Sequence, residues 1–218
     1  MAGKTVVIDP GHDGGNGAHP REINRKVDAG GFQKECDTTG TETDGGYTES
    51  RFDLQVAQQV ADKLRQAGAT VVLVRSTDAD WGPCVDQRAA IANQAHADVA
   101  VSVHADGGPV GGRGFHVIYP PDAGRTAAIG PDSKRLAVDL RDSYEAATGL
   151  PRSSYLGTDG LDVRTDLGGL NLSTVPKAFI ECGNMRNPVE ARLLVTDAFQ
   201  ARVATGIVEG LSRYLAGS

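Results

Sequence analysis

The sequence predicts a single α/β domain over residues 1–218, with a mostly parallel twisted sheet of about six strands and helices on both faces. Short apolar runs rich in β-branched residues alternate with helical segments of about 11 to 19 residues, which is typical of strand-helix-strand crossovers. A chain of 218 residues with 39% hydrophobic residues can bury one substantial core. No internal repeat or linker divides the chain further.

Five apolar runs favour strands because they combine β-branched residues with adjacent turn signals. They are Thr5–Ile8, Ala69–Arg75, Asp98–His104, Phe115–Tyr119 and Pro176–Cys182. The first run ends at Asp9-Pro10-Gly11, a sequence typical of a tight turn.

Helices are predicted where apolar residues recur every three or four positions. The first long helix carries this period, can be capped by Thr48 or Ser50, and can be closed by Gly68. Further helices are expected over Val85–Ala95 and Asp132–Thr148, after an Asn187 cap with Pro188 in the first turn, and through Phe199, Val203, Ile207 and Leu211.

Residues 13–47 are dense in Gly, Thr and charge and follow neither period. We expect a long surface excursion, either a loop or a hairpin, with Trp81 and Cys84 packed beside it. Because long loops without structure of their own are often functional, this excursion is a candidate wall of a binding groove.

The composition excludes two classes of function. A net charge of -6, a pI of about 5.3 and 5% aromatic residues disfavour a nucleic-acid partner. No apolar run approaches the roughly 18 residues of a transmembrane helix, so we expect no transmembrane segment. The first residues also show no signal-peptide pattern, and we expect a monomer.

The three cysteines lack CxxC spacing, which disfavours a thiolate metal site. Cys36 and Cys84 both fall in loop sequence and can either form a disulfide or remain free. Cys182 lies within an apolar strand, where a buried free thiol is expected.

Four polar side chains stand next to predicted strands or helices where functional groups collect in open α/β sheets. His12 follows the first strand, Glu49 precedes the first long helix, and His104 and Glu181 end two apolar runs. Two imidazoles and a carboxylate match the ligand set of an open catalytic zinc site. A further carboxylate, Glu181, can then accept a proton from the attacking water and return it to a leaving nitrogen.

Each of these residues also has an ordinary structural interpretation. His12 can cap a turn, and Glu49 can simply favour the positive end of a helix dipole. A functional role is favoured more strongly for the other two residues. His104 requires a partner because it follows a buried strand, and Glu181 would be costly to bury without a role.

The remaining histidines and two aspartates are expected to have other roles. His116 is interpreted as structural or solvent-facing, His96 as a helix-terminal cation and His19 as solvated. Asp9 and Asp106 are expected to support the site or its turns rather than to bind metal.

These motifs together resemble the zinc-dependent N-acetylmuramoyl-L-alanine amidases of the type 3 family, which are bacterial cell-wall hydrolases. The resemblance spans nearly the whole chain in the family's order, through the following segments. They are Val6–His12, Glu49 with its helix, Val72–Arg75 with Thr77-Asp78, Arg88–Asp98, Ser102–Ala105 and Glu181–Asn187.

The resemblance implies one zinc ion held by His12, Glu49 and His104, with catalysis by Glu181. The implied reaction cleaves the amide between N-acetylmuramic acid and L-alanine of the peptidoglycan stem peptide, and the implied location is the periplasm or cell wall after export. Some relatives carry an inhibitory helix between the second His strand and the next helix. Residues 106–131 lack an amphipathic period, so an uncovered metal is expected here.

Three alternatives remain open on the sequence. A zinc peptidase acting on sugar-free stem peptides would use the same ligands. An inactive wall-binding module would keep the fold without the chemistry. Cysteine hydrolysis is disfavoured because strand alternation turns Cys182 and Glu181 to opposite faces.

Overall fold

The computed structural model describes residues 1–217 and has a central six-stranded sheet. Its strands, with the intervening hairpin, are β1 (Thr5–Pro10), β2 (Lys26–Asp28), β3 (Gln33–Glu35), β4 (Thr70–Leu73), β5 (Val99–Asp106), β6 (His116–Tyr119), β7 (Leu161–Val163) and β8 (Lys177–Asn184). The helices are α1 (Pro20–Ile23), α2 (Glu49–Gln66), α3 (Val85–Gln94), α4 (Gly130–Thr148), α5 (Gly168–Asn171), α6 (Pro188–Leu194) and α7 (Asp197–Ala216).

The sheet is mostly parallel, which confirms the predicted fold class. The strand order is β4-β1-β5-β8-β6-β7, and only β6 and β8 pair in antiparallel orientation. The sequence pattern predicted neither this reversal nor β7, because β7 has only three residues and an apolar run carries no information about strand direction.

The two faces of the sheet bury cores of different size. Helices α2, α4 and α7 cover the larger core, which includes Phe52, Leu140, Tyr144 and Ile207. The opposite face has a smaller cluster that includes Val7, Ala92 and Ala100 beside α3. Cys182 is a buried free thiol within the larger core.

The start of α2 determines where Glu49 lies. Thr48 is the N-cap, and its hydroxyl accepts a hydrogen bond from the Arg51 amide at 3.4 Å. Glu49 is therefore the first helical residue rather than the residue before the helix. Gly68 follows the last turn with φ of +88°, the left-handed conformation that glycine adopts readily.

The excursion over residues 13–47 contains α1 and the β2–β3 hairpin. A disulfide joins Cys36 to Cys84, the N-cap of α3. Val27, Trp81 and Val85 pack around this disulfide. The excursion is thus fastened to α3 beside the carboxyl end of β1.

The segment between β5 and α4 contains β6 and a short 3-10 helix at Gly124–Thr126, with no α-helix. This agrees with the expectation that no helix covers the site from this segment. Among residues 1–217, no helix combines the length and the apolar character needed to span a bilayer.

Candidate metal centre

The structure brings His12, Glu49, His104 and Glu181 together at the carboxyl edge of the sheet, where all four line one cavity of about 300 Å³. His12 follows β1 with φ of +51°, His104 and Glu181 lie on β5 and β8, and Glu49 begins α2. Side chains from four distant segments therefore meet at one location, as the sequence predicted.

Three of these side chains converge on a single point. Nε2 of His12 lies 3.2 Å from Oε1 of Glu49, and Nδ1 of His104 lies 3.0 Å from the same oxygen. The other oxygen of Glu49, Oε2, accepts a hydrogen bond from the Thr41 amide at 2.8 Å, which orients the carboxylate.

The donor set fits a zinc ion. Zinc–nitrogen bonds of about 2.0–2.1 Å in a tetrahedral site place neighbouring ligand atoms about 3.3 Å apart, close to the two separations here. One ligand atom from each of His12, Glu49 and His104 lies within 4.8 Å of the other two. Three protein ligands leave one tetrahedral position open, as catalytic zinc sites require.

Gly11 is required for this geometry because His104 lies directly against it. A Cβ atom at Gly11 would come within 2.2 Å of Cε1 of His104 and 2.7 Å of Oδ2 of Asp53. Any larger residue at this position would displace the ligand.

The pKa values of the two imidazoles are shifted in opposite directions. Burial alone would lower the pKa of His12, but the charge of Glu49 and hydrogen bonds to Asp37 and Glu49 raise it well above its usual value. Burial lowers the pKa of His104 below its usual value, against the opposing effect of Glu49. Burial opposes ionisation of Glu49, yet the two histidines outweigh it and lower the carboxyl pKa.

The ring nitrogen of His12 that does not face Glu49 contacts a backbone carbonyl oxygen and a carboxylate. This nitrogen, Nδ1, lies 3.1 Å from the Thr38 carbonyl oxygen and 3.4 Å from Oδ1 of Asp37. A metal-binding histidine commonly directs its second ring nitrogen to a carboxylate or carbonyl in this way, which fixes the ring and its tautomer.

Arg88 connects Asp37 to the interior of the protein. Its guanidinium donates to Oδ2 of Asp37 at 3.0 Å, to Oδ1 of Asp9 at 2.8 Å and to the His12 carbonyl oxygen at 2.8 Å. Oδ2 of Asp9 in turn lies 3.2 Å from Nζ of Lys177, which is fully buried. Burial would raise the Asp9 pKa, but Lys177 and Arg88 outweigh it and hold the pKa well below its usual range.

Glu181 is the register partner of His104 across β5 and β8, so both side chains lie on the same face of the sheet. Cys182 belongs to the core on the opposite face, as strand alternation predicted. Oε2 of Glu181 is buried without a hydrogen-bond partner. Burial, reinforced by the charges of Glu49 and Asp106, raises the pKa of Glu181 well above its usual value.

Two residues beside the site were not singled out from the sequence. Asp53 is fully buried, neither carboxyl oxygen has a hydrogen-bond partner, and Oδ2 lies 4.0 Å from Nδ1 of His104. Its position four residues after Glu49 places both on one face of α2, a spacing visible in the sequence. Phe179 stacks on the His104 ring at 5.4 Å between centroids, a contact that no sequence signal indicated.

The other polar residues considered from the sequence lie outside the ligand set. His116 is 1% exposed, so the solvent-facing alternative is wrong, and its Nδ1 is buried opposite Glu181. His19 is partly exposed and stacks near Trp81, and His96 follows α3. Asp9 supports the site through Arg88, and Asp106 lines the cavity.

A second cavity of about 120 Å³ shares part of its lining with the first. It is bounded by His12 and His104 and has an apolar wall formed by Val85, Leu167 and Phe179. The β2–β3 hairpin contributes Lys34 and Glu35 to its rim.

Residues 6–213 match the family model described as N-acetylmuramoyl-L-alanine amidase. The chain is 41% identical over 217 residues to N-acetylmuramoyl-L-alanine amidase Rv3717 of Mycobacterium tuberculosis, covering 99% of this chain and 88% of that protein.

Solved structures of similar proteins share the fold. The amidase Ami1 from Mycobacterium smegmatis superposes with a TM-score of 0.95 at 41% identity, covering 100% of this chain and 99% of that one. Ami1 from Mycobacterium abscessus gives a TM-score of 0.92 at 42% identity, covering 99% and 100% of the two chains.

Proposed function

We propose that this chain, which belongs to the N-acetylmuramoyl-L-alanine amidase family, acts with one zinc ion held by His12, Glu49 and His104 and with Glu181 as its catalytic residue. The chain hydrolyses the amide bond between N-acetylmuramic acid and L-alanine in peptidoglycan. The observation that carries the proposal is the convergence of two imidazole nitrogens on Oε1 of Glu49, in a cavity that Glu181 also lines.

When bound, zinc supplies Lewis acidity that polarises the scissile carbonyl and increases the acidity of water. Glu181 then performs the proton transfers. Its carboxylate accepts a proton from the attacking water and delivers it to the L-alanine nitrogen as the amide breaks. Burial and the charges of Glu49 and Asp106 raise the pKa of Glu181, which makes its carboxylate a stronger base.

The groups behind His12 keep the ligand in position during this reaction. Asp37 and the Thr38 carbonyl oxygen hold Nδ1, so that Nε2 faces Glu49. Arg88 fixes both Asp37 and the His12 carbonyl oxygen. Orientation before substrate arrives lowers the cost of reaching the reactive geometry.

The substrate class implies where the protein works. We infer export to the periplasm or cell wall, because peptidoglycan lies outside the cytoplasmic membrane. We also propose that the protein acts as a monomer. Detection of the protein in the extracytoplasmic fraction of its native cells would support this location. Confinement to the cytosol would contradict it.

The experiment that tests the proposal compares two substrates. The zinc-loaded enzyme should release an L-alanine-led peptide from a muramyl peptide and leave the same peptide without sugar intact. Chelation should abolish release, and added zinc should restore it. Preferential cleavage within the sugar-free peptide would instead establish the peptidase alternative.

A further inference from the structure

Lys34 on strand β3 lies at the boundary between the two cavities that flank the metal centre, and its side chain is half-buried. Its Nζ donates to the Asp166 carbonyl oxygen at 3.2 Å, a contact that links β3 to the segment after β7. A cation held at this position faces whatever substrate occupies the cavities.

Lys34 forms no ion pair with a carboxylate of the described residues, although its charge interacts with Glu35 and Asp166 nearby. The described part of the β2–β3 hairpin contains one ion pair, between Lys26 and Glu35, and Lys34 takes no part in it. The other cation of the larger cavity, Arg164, is already paired through two hydrogen bonds of 2.8 and 2.5 Å with the Asp166 carboxylate. Lys34 uses one of its three donors for the Asp166 carbonyl oxygen, so the others are available to a ligand.

The acids around the groove have other roles. Asp37 pairs with Arg88 and His12, Glu35 pairs with Lys26, and Glu49 belongs to the ligand set. None of them forms an ion pair with Lys34, and Asp166, which also interacts with the Lys34 charge, is paired with Arg164. A half-buried ammonium outside any direct ion pair can form a charge-assisted hydrogen bond with an anionic group of the substrate.

The chemistry of the substrate identifies that anion. The sugar and lactyl parts of a muramyl peptide carry no charge once the lactyl carboxyl is in the amide, whereas the peptide beyond L-alanine carries free carboxylates. We propose that Lys34 is a specificity residue that binds a carboxylate of the residue following L-alanine, so that the stem peptide runs toward the β2–β3 hairpin. The proposal rests on the proposed function, since it concerns the same site.

Two muramyl dipeptides test this proposal on the zinc-loaded enzyme. In N-acetylmuramoyl-L-alanyl-D-glutamate the carboxyl groups of the second residue are free, and in the matched diamide both are neutral. The native enzyme should prefer the free acid about tenfold in kcat/KM, the effect expected of one hydrogen bond to a charged group. Lys34→Met should reduce this preference to near unity through a higher KM for the acid, and Lys34→Arg should restore part of it.

Lys26→Met is the matched control, because Lys26 lies on the same hairpin but is paired with Glu35, and it should keep the full preference. Far-ultraviolet circular dichroism would verify folding of each variant. Equal turnover of acid and diamide by the native enzyme, or an unchanged preference in Lys34→Met, would overturn the proposal. If neither dipeptide is hydrolysed the proposed function fails, and calorimetric binding of the same pair to native protein and Lys34→Met still decides the role of Lys34.

Discussion

On the Nδ1 side of His12, the buried charged side chains form a continuous series of ion pairs. Around His104 and Glu181, several buried polar atoms have no hydrogen-bond partner. On the first side, Lys177, Asp9, Arg88 and Asp37 connect the core to the His12 ring. On the second side, both carboxyl oxygens of Asp53, Oε2 of Glu181 and Nδ1 of His116 lack hydrogen bonds.

This difference indicates that the two groups of residues have different roles. Paired buried charges hold a ligand in one orientation, since removing one partner leaves an uncompensated charge. Unpaired acids are costly in a folded protein unless a cation, water or substrate satisfies them. We therefore propose that the paired side positions the metal and that proton transfer takes place on the unpaired side.

Replacement of Glu181 should have the largest effect, because it removes the proposed base without changing the ligands. Glu181→Gln should lower kcat by about 10²–10⁴-fold. Its zinc content, measured by elemental analysis, should stay at the native level.

The neighbouring Cys182→Ala variant is the control, since Cys182 lies on the opposite face of the sheet. It should retain kcat within a few fold. Native turnover by Glu181→Gln, or loss of turnover in a folded Cys182→Ala protein, would show that Glu181 is not the catalytic base.

Breaking the paired side should mainly affect stability. Arg88→Met leaves Asp9 and Asp37 without their shared partner, which should cost about 3–5 kcal/mol in urea unfolding. The matched change Arg65→Met breaks a partly exposed pair with Asp62 and should cost less than about 1 kcal/mol. Similar losses of unfolding free energy in both variants would show that the buried Arg88 pairs stabilise the fold no more than an exposed pair does.

Zinc binding should depend on pH through His12. Its pKa is raised in the metal-free protein, so below that pKa zinc must displace a proton, and affinity should fall about tenfold for each unit of decreasing pH. Calorimetry in buffers of different ionisation enthalpy measures the released proton. Asp37→Asn should reduce proton release near neutral pH, because it removes one of the groups that raise the pKa. Binding that is independent of pH between 6 and 8 would contradict this account.

The smallest effect is expected at Asp53. Burial, reinforced by the charge of Glu49, raises its folded pKa, so the folded metal-free protein binds more protons than the unfolded chain. Its contribution to stability is therefore favourable below about pH 4 and is lost as pH rises toward the folded pKa. Asp53→Asn should stabilise the metal-free protein by about 1 kcal/mol at pH 8 and less at pH 5, as measured by urea unfolding. A destabilised variant at pH 8 would indicate that the carboxylate has a partner.

The sequence predicted the fold class and the meeting of the four site residues because both follow from strand order. His12, His104 and Glu181 come at or near the ends of predicted strands, and the carboxyl ends of parallel strands share one edge. The antiparallel pairing of β6 with β8 was not predictable, since the apolar pattern is the same for either direction.

The supporting residues were harder to predict than the ligands. Asp37 reaches His12 through a long excursion whose path depends on the disulfide between Cys36 and Cys84, and the sequence left that disulfide open. Lys177 resembles an ordinary strand-end lysine until the structure shows it buried against Asp9. Local pattern gives the positions of such residues along the chain but not their distant partners.

Zinc K-edge X-ray absorption, combined with elemental analysis, would show directly whether His12, Glu49 and His104 bind zinc. We expect one zinc per chain, bound by two imidazole nitrogens and a carboxylate oxygen at about 2.0–2.2 Å, and loss of zinc when His12, Glu49 and His104 are replaced together by alanine. Stoichiometric zinc in that triple variant, or full turnover by native protein free of metal, would contradict this expectation.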